Sequence, residues 1–161
     1  MIKTKGLFMR SQRWLGVLAA AAGMTLLNTS PATAALPTVN WKAVSTNSNW
    51  HCGAYTSPAN ARDLNFKPCW VVNANNDAQA VLVVQNPSNQ ARTIKGAIRM
   101  PGFAGEVNCA ETVLNPGFTR GCYSITNACA GSTGPLDVWL FVRDEWGEWA
   151  ESINGIADQC G

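Results

Sequence analysis

Six cysteines, Cys52, Cys69, Cys109, Cys122, Cys129 and Cys160, constrain what this chain of 161 residues can fold into more than any other feature. An even set in an exported chain pairs off into disulfides, whereas in a reducing compartment the same set would serve metal or redox chemistry. Structural zinc takes close C-x-x-C pairs, and the nearest spacing here is Cys122 to Cys129, so no metal is expected. The preferred pairing is sequential, Cys52–Cys69, Cys109–Cys122 and Cys129–Cys160, with other connectivities left open. The middle pair is the best founded, because Asn115-Pro116-Gly117 between its members is a turn that would fold the two flanking strands together. Each bridge would contribute about 2–4 kcal/mol, mostly by restricting the unfolded chain.

The N-terminus supplies the oxidising compartment. Residues 1–14 carry Lys3, Lys5, Arg10 and Arg13 without an acid, and the apolar run Leu15 to Leu27 follows. Pro31 and the small residues Ala32-Thr33-Ala34 then form a signal-peptidase site, which places a cut after Ala34. A retained anchor is the alternative, but the run is about 13 residues where roughly 20 are needed to span a bilayer. The expected product is residues 35–161 as one domain, secreted to the extracellular or periplasmic space and free of the membrane after cleavage. The leader holds four of the 12 basic residues and none of the 10 acids, so the formal charge of +2 becomes about −2. That balance argues against nucleic acid as a partner.

Downstream of the leader no long stretch repeats with the helical period, while several short ones alternate with period two. Candidate strands lie at 69–73, 78–85, 93–100, 107–114, 118–125 and 136–143. In the second of these Ala80, Leu82 and Val84 share one face and Val81 and Val83 the other, which predicts a central strand apolar on both sides. In the third, Ile94, Ile98 and Met100 oppose Thr93, Lys95, Ala97 and Arg99. Segments 136–143 and 148–153 would make a hairpin about residues 144–147, with a helical cap over 148–159 as the alternative. Short strands separated by frequent turn signals predict an all-β, antiparallel two-sheet β-sandwich stapled by disulfides, with a closed barrel as runner-up.

The stretch Ala80 to Met100 (AVLVVQNPSNQARTIKGAIRM), with its Asn-Pro-Ser turn, and the later Leu114-Asn115-Pro116-Gly117 resemble immunoglobulin-like modules of exported bacterial proteins. The resemblance covers about a third of the mature chain. It implies an immunoglobulin-like fold and no activity, and the Cys-Trp-Cys spacing of antibody domains does not align.

No catalytic constellation accompanies this framework. His51 is the single histidine, and His51-Cys52 is similar to the dipeptide at the general base of chymotrypsin-like proteases. Those enzymes need two barrels and a Gly-Asp-Ser-Gly-Gly loop, both missing here, so a surface histidine beside a disulfide is expected. Asp137, Asp144, Glu145, Glu148, Glu151 and Asp158 crowd the C-terminal stretch, where a glycosidase pair is conceivable but solvated carboxylates and an Arg143–Glu148 surface pair are simpler.

Aromatic side chains are the better lead. Trp41, Trp50, Trp70, Trp139, Trp146 and Trp149 all lie beyond the leader. If Leu136, Val138, Leu140 and Val142 face the core, then Asp137, Trp139, Phe141 and Arg143 share the opposite face, and Trp146 projects from the following loop. Either this strip binds a ligand, or Trp139 and Phe141 lie beneath another segment and Trp70 packs on the neighbouring disulfide. Lys95 and Arg99, with Arg92 and Arg120 nearby in sequence, suggest a basic face. The expected function is a monomeric, non-catalytic binding module without cofactor. It would recognise a glycan or an extracellular protein through Trp139, Phe141, Trp146 and Arg143. The alternatives are a protease inhibitor presenting the Cys122–Cys129 loop and a small hydrolase using the C-terminal carboxylates.

Overall fold

The strand with two apolar faces sits at the centre of the molecule. In the computed structural model, which describes residues 34–59, 61–102, 104–129, 135–142 and, as backbone, 145–153, strand β5 (Asp77–Gln85) is flanked on both edges. Its neighbours are β4 (Asn65–Val72) and β8 (Thr119–Tyr123). Ala80, Leu82 and Val84 face the core between two sheets, and Val81 and Val83 enter a smaller outer cluster with Cys69. No polar face is left for solvent, as the sequence pattern requires of an interior strand.

The molecule is an all-β, two-sheet sandwich. The first sheet has the order β1-β7-β6-β10-β11, built from β1 (Thr38–Val39), β6 (Arg92–Arg99), β7 (Val107–Leu114), β10 (Leu136–Val142) and β11 (Glu145–Ile153). The second runs β2-β8-β5-β4-β3, with β2 (Lys42–Ala43) and β3 (Trp50–Cys52) at its edges, and β9 (Asn127–Ala128) also pairs β5. Every pairing is antiparallel except the short β1–β7 pair, which is parallel. Ile94, Ile98, Val138, Leu140 and Val142 of the first sheet meet Phe66, Trp70, Leu82 and Val84 of the second in one buried cluster. The alternation expected along β6 and β10 therefore holds.

Several sequence expectations need correction. The Asn115-Pro116-Gly117 turn does not fold β7 onto β8 as a hairpin, because the two strands belong to different sheets. The turn itself forms, with Phe118 N–H donating to Asn115 O at 3.2 Å and Gly117 at a φ of 74°. Positive φ after Pro116 at the preceding position is the type II pattern that only glycine meets without strain. Cys109–Cys122 accordingly ties one sheet to the other across the core, while Cys52–Cys69 joins residues directly opposite each other on β3 and β4. Cys129 is also disulfide-bonded, and Cys160 lies outside the described residues. Trp70 does not pack on the disulfide of its chain neighbour. It points to the core while Cys69 points to the outer cluster, as alternation along a strand demands.

Two devices close the sandwich at its β7/β8 end. The chain enters through β1 on the first sheet and crosses to β2 on the second, and Trp41 between them donates its indole N–H to Ala110 O at 2.6 Å. Asn86 of the Asn-Pro-Ser turn is fully buried, and its amide donates to Gln90 O at 2.8 Å and Leu114 O at 2.9 Å. Its Oδ1 accepts from Ser88 N at 3.1 Å and Ser88 Oγ at 2.7 Å. Both amide donors and the carbonyl are thus satisfied, which offsets the cost of burying them and locks the β5–β6 turn to the end of β7.

The C-terminal hairpin forms, and the helical alternative does not. Trp139 pairs with Ala150, Leu140 with Trp149 and Val142 with Glu145, so residues 145–147, expected in the turn, belong to β11 instead.

Candidate functional site

Strand β10 places Leu136, Val138, Leu140 and Val142 in the core, which turns Asp137, Trp139 and Phe141 to the outer face of the first sheet. Strand β6 does the same with Lys95, Ala97 and Arg99. Because β6 and β10 are antiparallel neighbours, Asp137 pairs with Arg99, Trp139 with Ala97 and Phe141 with Lys95. The aromatic strip and the basic strip are therefore one surface.

The small side chain at Ala97 makes that surface concave. Ala97 is buried although it lies on the outer face, and the larger side chains around it rim a shallow depression of about 330 Å³. Lys95, Arg99, Asn108, Trp139 and Phe141 form its walls. Trp139 and Phe141 are two residues apart on one strand, about 6.8 Å along its axis. Each ring carries a cation at cation–π range: Arg99 Cζ lies 5.6 Å from the Trp139 centroid and Lys95 Nζ 5.8 Å from that of Phe141. Both rings are half-buried rather than sealed beneath another described segment.

Arg99 is held in place from three directions. Its Nη1 donates to Ile98 O at 2.9 Å and Val107 O at 2.8 Å, and its Nη2 donates to Asn108 Oδ1 at 2.7 Å. The guanidinium is thus a fixed part of the wall.

No family model, curated protein or solved structure matches the chain. Geometry alone has to carry the function.

Of the four residues expected to bind, the structure brings Trp139 and Phe141 together on the outer face. Arg143 lies outside the described residues, and Trp146 is described only as backbone within β11, not as part of a loop. Lys95, Ala97, Arg99 and Asn108 were not expected as part of the site. The alternation of β6 exposes three of them in the sequence, but the pairing of β6 with β10 has no local signal, since β7, β8 and β9 intervene.

The wider basic face does not form. Arg92 is engaged by Asp63, to which Nε donates at 2.6 Å, and Arg120 lies on the second sheet against the Phe118 ring. His51 is half-buried on β3 opposite Trp70. Asp137 is the one member of the C-terminal acidic set whose side chain is described, and among the described residues no three His, Cys, Asp or Glu converge on a metal position.

Proposed function

We propose that this chain is a small exported binding module without catalysis of its own, and that it recognises a glycan through the outer face of β6 and β10. The observation that carries the reading is the pair Trp139 and Phe141, presented side by side over a concave floor at Ala97. Aromatic faces backed by a rigid sheet stack on sugar rings with little loss of conformational freedom. An open trough also admits an extended chain from either end.

Residues 1–34 as a cleaved leader and 35–161 as the secreted, monomeric domain belong to the same proposal. The disulfides support it, and no helix among the described residues is long and apolar enough to cross a membrane. An immunoglobulin-like relationship is supported by strand order. Strands β4-β5-β8 face β7-β6-β10-β11, and the chain changes sheet between β5 and β6 and again between β7 and β8.

Pull-down on insoluble chitin, cellulose and peptidoglycan tests the reading. The protein should be retained on at least one, and Trp139→Ala should release it while leaving the thermal midpoint within a few degrees. Retention on none, or retention indifferent to Trp139→Ala, refutes it. A specific observation also favours the inhibitor reading: Ile125, inside the Cys122–Cys129 loop, is 51% exposed while its neighbours Ser124 and Asn127 are hydrogen-bonded in place. Inhibition of a secreted protease that is lost in Ile125→Asp would establish that reading instead.

A further inference from the structure

The two arginines of the first sheet differ in one respect. Arg92 and Arg99 both stand on β6, and both are partly buried. In Arg92 the edge formed by Nε and Nη2 grips a carboxylate, Asp63 Oδ2. In Arg99 the guanidinium is fixed through Nη1 and one Nη2 donor, and Nε–H meets no acceptor among the described residues. Asp137 is opposite Arg99 in register, yet the one ion pair among the described residues is Arg92–Asp63. The fold thus immobilises a guanidinium beside the Trp139 ring, and among the described residues no carboxylate meets its Nε–Nη2 edge.

We infer that the trough takes an anionic polysaccharide, one bearing carboxylate or sulfate groups on its sugar rings. This rests on the glycan-binding reading above and deepens it. A ring stacked on Trp139 would present an acidic substituent to Arg99 Nε and Nη2, a fork whose geometry matches two oxygens of one carboxylate or sulfate. Lys95 stands four residues along β6, about 13 Å away and beside Phe141, so the fork of Arg99 is what the inference rests on. Asp137, opposite Arg99 in register, opposes anions beside that fork and can accept hydrogen bonds from sugar hydroxyls. The chain beyond residue 34 is slightly negative overall, so attraction for a polyanion has to come from local cations such as Arg99 rather than from net charge.

The test compares the full chain, produced in an exporting host, on polygalacturonate, heparin and a neutral galactan of matched length, by calorimetry or affinity electrophoresis. Binding to at least one acidic polymer should exceed binding to the galactan by about tenfold or more, and should weaken as NaCl rises from about 0.05 to about 0.5 M. Arg99→Gln should cost about tenfold on the acidic polymer, the effect of losing one charge-assisted hydrogen bond, and the preference for acidic over neutral polymer should fall with it. Arg99→Lys, which keeps the charge and loses the fork, should recover less than half of that loss. Asp137→Asn should tighten binding to the acidic polymer.

Equal binding to acidic and neutral polymers with no salt dependence overturns the inference and leaves the glycan reading standing. Binding to none of the three, nor to any insoluble glycan, removes both. The salt titration uses the unaltered protein, so the inference stays testable even if the Arg99 variants fold poorly. Capture of an acidic peptide in preference to all polysaccharides would overturn it in favour of a protein partner.

Discussion

Replacing Gly96 by alanine probes the packing directly beneath the trough. Gly96 is buried on β6, and a Cβ added there would stand 2.6 Å from Leu82 Cδ2, 2.8 Å from the Trp139 carbonyl oxygen and 3.4 Å from Cys109 Sγ. The leucine methyl can rotate away, but the carbonyl belongs to β10, which is held between β6 and β11. Two effects compete. Alanine loses less backbone entropy than glycine on entering a strand, a gain of about 0.5–1 kcal/mol. Overpacking a close-packed core costs about 1–3 kcal/mol, and a clash against backbone belongs at the upper end of that range. The net is a loss of about 1–2 kcal/mol, which lowers the thermal midpoint of a domain this size by roughly 3–8 °C. Thermal and urea unfolding measure it, with the urea slope unchanged if the fold is kept. Because relief requires β10 to move outward, Trp139 and Phe141 move with it, and glycan binding should weaken at temperatures where the variant is still folded. A variant as stable as the parent, with undiminished binding, would refute the packing argument.

The two described disulfides close loops of similar length, with sequence separations of 13 and 17, so chain entropy assigns each about 3 kcal/mol. Cys109 and Cys122 are both buried in the inter-sheet core whereas Cys52 is exposed. The double variant Cys109→Ala/Cys122→Ala should therefore cost about 1 kcal/mol more than Cys52→Ala/Cys69→Ala in parallel urea titrations. Asn86→Ala strips the buried Leu114 carbonyl of its donor and should cost about 2 kcal/mol by the same measurement. Burial holds the phenols of Tyr55 and Tyr123 above their ordinary value. The stability tied to keeping them neutral is present in full below pH 10 and is lost as pH rises through the folded-state values, so unfolding should become easier there. Their phenolate absorbance should appear at higher pH in the folded than in the urea-unfolded protein.

Local pattern made the strands legible and left their arrangement obscure. The double apolar face of 80–84 identified the central strand, and the alternation along 136–142 named the residues that face outward. Both follow from side chains alternating across a pleat, a property each strand carries by itself. Strands β1, β2, β3 and β9 escaped notice because they are two or three residues long, too short for a period to show. Residues 65–68 escaped because Pro68 interrupts the pattern, although its carbonyl still accepts from Gly53 N–H at 2.9 Å. Cysteine pairing was read correctly for Cys109 and Cys122 from a turn that does something else, joining sheets instead of adjacent strands. Contact of Arg99 with Trp139 and of Lys95 with Phe141 depends on which strands become neighbours, and that is decided by the whole chain.

Size and rigidity bear on how tightly such a trough can bind. At about 330 Å³ it lies at the lower end of small-molecule sites, enough for one or two sugar rings. Two aromatic faces and one guanidinium fork offer few strong contacts, and the entropy of association takes back part of their gain. The three hydrogen bonds on Arg99 reduce the remaining cost, since its rotamer is fixed at folding rather than at binding. A single sugar unit should therefore bind only in the high micromolar to millimolar range. A polymer changes the arithmetic without any new contact, because each chain carries many equivalent positions and a dissociated trough rebinds the next one before diffusing away. Weak stacking on a rigid, open sheet face is thus matched to an extended polymeric target and poorly matched to a free monosaccharide.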